Sequence, residues 1–403
     1  MSQIYLLDNP IKNYDWGSRS AIASLKGEMF PTMEPQAEMW MGAHPSAPSK
    51  IISGQRDRTM SDVIAEAPAE ILGPDVAEKF DNRLPFLFKI LAADKPLSIQ
   101  AHPDKTQAEA GFDRENSEQI SLGDNKRSYK DRNHKPEIIC ALTEFWALNG
   151  FRSSEQIIEL FDMIGLSKFS RELKASSSDL KNFFNALMAL PLHKTRCLLR
   201  RTLKNLEKSD IDPDIRMWIR SLYDVRNEAG VRVNTADIGV LSPLFLNLIK
   251  LRAGEAMYLE AGRLHAYLHG VGVELMANSD NVLRGGLTSK HKDVAELLKI
   301  LKFVTHDVNV LHPARSEGGE EIYSTDASEF RLSRINVYAD EVWRSSDRRN
   351  IEILICLSGF GRIHAEPDGE PIQLKRGASL MIPASVSRYQ LTGPLEVYKA
   401  TVP

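Results

Sequence analysis

One block of helical periodicity sits inside a chain that otherwise reads as short strands, and this constrains the fold more than any other feature. Ser153-Ser154-Glu155-Gln156 opens a segment in which Ile157, Ile158, Leu160, Phe161, Ile164 and Leu166 recur every three or four residues, putting apolar side chains on one helix face. Ser153 is placed to cap it. Amphipathic stretches over 180–190 and 195–206 carry the pattern to about Val225, which predicts a helical domain over 152–240 that covers one end of a β-core. Before it, 85–100 gives two apolar runs around Asp94-Lys95-Pro96, a hairpin signal; 113–133 reads as a long loop and 137–146 as a strand. After it, strand character returns at 241–252, and the tail over 351–401 alternates short β-runs with Gly359, Gly361, Gly369, Gly377 and Gly393. Both flanks suit barrels or sandwiches of short strands.

Composition excludes several classes. At 403 residues, 42% hydrophobic and 26% charged, the chain can build two or three globular domains. A formal net charge of −3 gives no overall field that would draw it to nucleic acid or an anionic membrane, so an anionic substrate must be met by a local group of Lys and Arg. The first ten residues lack a basic stretch followed by an apolar one, which argues against secretion and for the cytoplasm. The most apolar run, 84–93, is interrupted by Lys89 and closed by Asp94 and Lys95, so it reads as a buried strand and not a membrane span. Three separated cysteines, Cys140, Cys197 and Cys356, fit reduced, mostly packed thiols.

Two segments share a spacing. Gly254, Glu260-Ala261-Gly262 and His265 resemble the second conserved motif of cupin barrels, in which the His binds a metal. The tail repeats it as Gly377, Pro383-Ala384-Ser385 and Arg388, with a metal-incompetent Arg in the ligand position. The expected fold class is mainly β with an α-helical domain: two cupin-like β-barrel or jelly-roll domains plus an inserted helical domain. The catalytic β-domain takes 1–151 with 241–320, the helical domain 152–240, and a metal-free C-terminal domain 321–403.

Three clusters offer chemistry. Gln100 and His102 are two apart in a strand-like run and can face one ion. Lys135 and Glu137 flank Pro136, which favours extended backbone, so they share a side as a salt bridge or a catalytic pair. From His265 to Lys290, Glu274, Asn278, Asp280, Asn281, Arg284, Thr288 and Lys290 stand among glycines; so many polar groups in a β-region line either a wet cavity or an exposed loop.

Tyr14-Asp15-Trp16-Gly17, Ala37-Glu38-Met39-Trp40-Met41-Gly42-Ala43-His44-Pro45, Ile99-Gln100-Ala101-His102-Pro103-Asp104, Asn133-His134-Lys135-Pro136-Glu137 and Met276-Ala277-Asn278-Ser279-Asp280-Asn281-Val282-Leu283-Arg284 together resemble the type I mannose-6-phosphate isomerase family. The resemblance runs in order along the whole chain. It implies a zinc-dependent aldose–ketose isomerase that interconverts mannose 6-phosphate and fructose 6-phosphate through a cis-enediol. It implies one Zn²⁺ per chain, held by Gln100, His102, Glu137 and His265, and a catalytic Arg284. For the proton shuttle we take Lys135 with His134, and Glu274 as the competing base. For the phosphate we take Lys290 with Ser98 and Thr288, and Tyr267, Asp280 and Trp16 as further substrate-binding residues. The expected partner is a small sugar phosphate, with no nucleic acid or membrane, and the expected state is a monomer. The chain departs from the family in having Arg263-Leu264 before His265 where a Pro is expected, and Gly285 and Ser289 for Ala and Pro. Two other readings are a cupin-type sugar-phosphate sensor without turnover and an iron oxygenase. Gln100 as a fourth ligand and the Arg284/Lys290 cations disfavour the oxygenase.

Overall fold

The chain is organised by one long strand, His265–Ala277, whose two halves take different partners. In the computed structural model, which describes residues 3–52, 58–175, 179–227, 230–305, 308–367 and 369–403, its first half pairs with Phe145–Phe151 and, at His265, with Gln100 of Ile99–Ala101. Its second half lies between Phe86–Ala93 and Glu137–Ala141. The change falls at Gly270, whose φ of 125° and close approach to the Glu144 carbonyl leave no room for a side chain.

This arrangement corrects the expected hairpin. Phe86–Ala93 and Ile99–Ala101 are both strands, but they pair with successive parts of the long strand and not with each other. The intervening turn has other partners: the Asp94 and Lys95 amides donate to the Trp16 carbonyl at 3.0 and 3.1 Å. Two further expectations shift. A helix, Lys105–Ser117, occupies the start of the expected loop; Asp104 and Gln107 cap it reciprocally, but it lacks the apolar periodicity that marks a helix in sequence. The strand expected from 241 begins only at Leu246, because Ile238–Leu241 and Ser242–Phe245 are helical turns, the second with Pro243 in its first turn.

The helical block forms as its pattern requires, with helices Ser154–Met163, Ser167–Ala175, Leu180–Met188, Leu192–Leu206 and Pro213–Asp224. Ser153 Oγ accepts from the Gln156 amide and Gln156 Oε1 from the Ser153 amide, both at 3.2 Å. Ser153→Ala is expected to cost about 1 kcal/mol, read as a lower urea midpoint at unchanged slope; an unchanged midpoint would contradict the capping role. The apolar face of these helices, including Phe161, Phe184, Leu199 and Ile219, is continuous with Leu148, Leu264 and Leu283 of the sheet. The block thus buttresses the strands from behind His265 and Arg284.

Among the described residues the strands form a ten-stranded sheet around His265–Ala277 and a twelve-stranded sheet made largely of the tail. Tyr5–Asp8 pairs with Ser379–Ile382, so the two ends of the chain share the second sheet. Arg388 opens the strand Arg388–Thr392 and pairs with exposed Asp347. Cys140 and Cys356 are buried and Cys197 is exposed. No helix among the described residues is long and apolar enough to cross a membrane.

Candidate metal centre and active site

Three buried side chains converge from three strand ends. His102 follows Ile99–Ala101, Glu137 opens Glu137–Ala141, and His265 opens the long strand. Their ligand atoms lie within 4.8 Å of one another, and each Nε2 is 3.4 Å from a Glu137 oxygen. The other ring nitrogens are engaged: His102 Nδ1 donates to the Asn281 carbonyl at 2.6 Å, and His265 Nδ1 to the Arg263 carbonyl at 2.9 Å. Both Nε2 atoms therefore present lone pairs to the carboxylate. Burial and then the Lys135 ammonium push the His102 pKa down to about 3, so its ring is neutral. Burial works against the charge on Glu137, but the Lys135 ammonium outweighs it and holds the carboxyl well below its usual range.

The set is incomplete by itself. His102 Nε2, His265 Nε2 and Glu137 Oε2 are buried without a hydrogen-bond partner among the described residues. Three lone-pair atoms facing one another away from water are costly unless a cation lies between them. Two neutral imidazoles and a carboxylate fit a divalent ion, with room for further ligands. Gln100 sits at the rim, opposite both His265 and Arg284 in strand register.

The other predicted residues have different surroundings. Lys135 Nζ is 3.1 Å from Glu137 Oε1, the salt-bridge geometry, yet at the centre's edge. Arg284 is partly buried, and burial lowers its pKa. Lys290 is pulled down by burial and then by Arg284 and Lys130, so three cations gather on this side; Asp15 opposes them. The Thr288 hydroxyl accepts from the Lys290 amide at 3.1 Å. Tyr267 is fully buried, its ring edge-on to Phe145, and its pKa is raised well above the usual value by burial and then by Glu274 and Glu137. Trp16 stacks on Tyr14 at 5.7 Å, and Ser98 lies partly buried just before Ile99. Two residues point elsewhere. His134 Nε2 pairs with Glu329 of the C-terminal segment at 2.7 Å, and Asp280 is exposed, 3.5 Å from His44.

Over 397 residues the chain is 36% identical to the mannose-6-phosphate isomerase of Escherichia coli, covering 96% of each protein. The chain belongs to the type I mannose-6-phosphate isomerase family. Residues 4–154 match the family model described as phosphomannose isomerase type I, catalytic domain. The human mannose-6-phosphate isomerase is 32% identical over 434 residues, covering 98% of this chain and 97% of that one. A variant of phosphomannose isomerase from Salmonella typhimurium superposes with a TM-score of 0.90 at 33% identity and 99% coverage of both chains. A zinc-bound mannose 6-phosphate isomerase does so with 0.89, again at 33% identity and 99% of each.

One group on the same sheet face as Glu137 escaped the sequence reading of this family member. Strand register sets Lys89 opposite both Trp40 and Glu274, and Glu274 opposite Ile139, two residues beyond Glu137. Lys89 Nζ lies 2.8 Å from Glu274 and 3.7 Å from Glu38, whose Oε2 accepts from Trp40 Nε1 at 2.6 Å. Burial alone would lower the Lys89 pKa, but Glu274 and Glu38 raise it above the ordinary lysine value. One cation serves two buried carboxylates, and burial, Glu137 and Glu38 push the Glu274 carboxyl up despite Lys89. The signal was present: a lysine inside an otherwise apolar strand needs a buried partner. Asn281, named in the sequence only as one of a polar cluster, has a structural role. Fully buried, it accepts from the Lys130 and Asp131 amides and donates to the Asn133 carbonyl, tying this loop to the residue whose carbonyl orients His102.

Proposed function

We infer that the chain is a zinc-dependent aldose–ketose isomerase that interconverts mannose 6-phosphate and fructose 6-phosphate by moving a proton between C1 and C2 through a cis-enediol. The observation that carries this is the buried, orphaned set of His102, Glu137 and His265 beside Arg284, in a chain that aligns end to end with mannose-6-phosphate isomerases. His102, Glu137 and His265 would hold Zn²⁺, with Gln100 as a weaker fourth ligand. When bound, the ion supplies a Lewis acid that spreads the negative charge developing on the sugar oxygens.

The remaining steps belong to the side chains. Arg284 is a permanently charged, planar donor for the enediolate oxygen. Lys135 stands at the Glu137 carboxylate as the proton shuttle, and Glu274, whose carboxylate is ion-paired with Lys89, is the competing base. With its Nε2 on Glu329, His134 places Lys135 and does not itself reach the sugar. Lys290 with Lys130 suits the phosphate, with Ser98 and Thr288 as hydroxyl donors; Trp16 and Tyr267 remain substrate-binding candidates, while Asp280 turns to His44. Lys290→Ala is expected to raise the KM for mannose 6-phosphate about tenfold or more, and an unchanged KM would remove the assignment.

We read the architecture as two cupin-like modules, 1–151 with 241–320 and 321–403, around a helical domain at 152–240, with Tyr5–Asp8 contributed to the C-terminal sheet. The chain then acts as a cytoplasmic monomer on a small molecule. A coupled assay before chelation, after chelation and after zinc is restored tests the reading. Activity should vanish and return; inactivity with metal fully bound would favour a sugar-phosphate sensor.

A further inference from the structure

The helical segment holds a concentration of positive charge that the isomerase reaction does not use. Helix Leu192–Leu206 carries Lys194, Arg196, Arg200, Arg201 and Lys204 and no acidic residue, in a chain whose formal net charge is −3. Arg196 and Arg200 are four apart, on one face, where like charges repel. The chain beyond Pro213–Asp224 then folds back through a bridge between Arg226 and Arg232. The result is an open cavity of about 530 Å³ whose lining includes Arg196, Arg200, Tyr223, Arg226, Arg232 and Thr235.

Among the described residues, Asp224 is the carboxylate that pairs with this group, through Arg226 at 3.2 Å and through Arg232. Arg232 also lies over the Tyr223 ring, 5.7 Å from its centroid. Arg196 and Arg200 have no acidic partner among the described residues. Among the described residues, four guanidiniums and one carboxylate leave a formal charge of +3 around one concave space. Such gathering is unfavourable unless an anion of comparable charge offsets it, and planar guanidinium forks match phosphate oxygens in pairs. A concave space of this size suits a small molecule better than an extended polyanion.

We propose that this cavity is a binding site for a small ligand carrying two or three linked phosphates, separate from the catalytic cleft. Two walls hold the ligand: Arg196 and Arg200 on the helix, and Arg226 and Arg232 on the returning chain. Thr235 adds a hydroxyl donor.

Calorimetric titration of the zinc-loaded full chain tests this, with the catalytic site kept occupied by a saturating equilibrium mixture of the two hexose phosphates and zinc content checked before and after. Inorganic pyrophosphate is the first probe and a nucleoside triphosphate the second. The expected result is one saturable site per chain that weakens as salt is raised. Tighter binding of the nucleotide would place the base as well as the phosphates in the site; equal binding would assign it to the linked phosphates alone. Arg196→Ala with Arg200→Ala should weaken binding about a hundredfold, roughly tenfold for each guanidinium removed, while isomerase activity stays as in the parent. Arg226→Gln, on the opposite wall, should weaken it about tenfold. Absence of saturable binding at millimolar probe, or binding that survives both sets of substitutions, would overturn the proposal without touching the catalytic reading.

Discussion

Glu137→Gln is expected to lower kcat/KM for mannose 6-phosphate by about three orders of magnitude, with loss of most bound zinc. Glu137 is the one anion of the buried set, and its two oxygens face the two imidazole lone pairs. An amide keeps the shape but removes the charge. Its NH₂ can donate to a histidine Nε2, which satisfies an atom that otherwise waits for a metal. Several kcal/mol of charge stabilisation are lost with the ion, and each 1.36 kcal/mol is tenfold in rate, so roughly a thousandfold follows. Metal content by elemental analysis, alongside steady-state rates, separates this from misfolding. Full zinc occupancy with activity within tenfold of the parent would remove Glu137 from the ligand set.

Lys89→Met should destabilise the fold by about 3–5 kcal/mol, because it leaves two carboxylates on a buried face with no cation. Lys89, Glu274 and Glu38 are 6%, 3% and 8% exposed, so water cannot take over the role. The pH dependence has a definite sign. In the parent the Lys89 pKa is raised, so its contribution is complete below the ordinary lysine value and is lost only as pH climbs through the folded value. Glu274 is also raised in the folded state, so its protonation favours folding at low pH, and that contribution disappears as pH rises through the folded value. Without Lys89 this second effect grows. The gap between variant and parent should therefore be widest near pH 8 and narrow towards pH 5, measured by urea unfolding at both. A gap below about 1 kcal/mol, equal at both pH values, would show that the three charges are not a coupled buried group.

The parts of this protein that were legible in its sequence are those where one residue type has few uses. The helical block at 152–240 announced itself through apolar periodicity and Ser153, and the helices fall within it. The pair Gln100 and His102 could be seen to share a strand face, yet the site needed Glu137 and His265 from two distant strands, which only the register brings together. Local reading failed where pairing was decided by distant chain. The run 85–100 has hairpin composition, but the long strand His265–Ala277 offers both halves better partners than they offer each other. Helix Lys105–Ser117 is polar on most faces and is specified by its cap, so periodicity could not find it. Lys135 with Glu137 was ambiguous between structure and chemistry, and the geometry makes it an ion pair at the edge of the candidate centre. Lys89 was visible only as an interruption; its partners, Glu38 and Glu274, lie 51 residues before and 185 after it.

An isomerase of this kind moves a proton between adjacent sugar carbons, and exchange with solvent reads that directly. Zinc-loaded protein would be incubated with mannose 6-phosphate in D₂O and the C2 proton followed by NMR as fructose 6-phosphate forms. Deuterium should appear at C2 of recovered mannose 6-phosphate at a rate tied to turnover, and chelation and Glu137→Gln should each abolish it. Bound sugar phosphate with full zinc, no ketose and an undiminished C2 proton signal would contradict the isomerase reading.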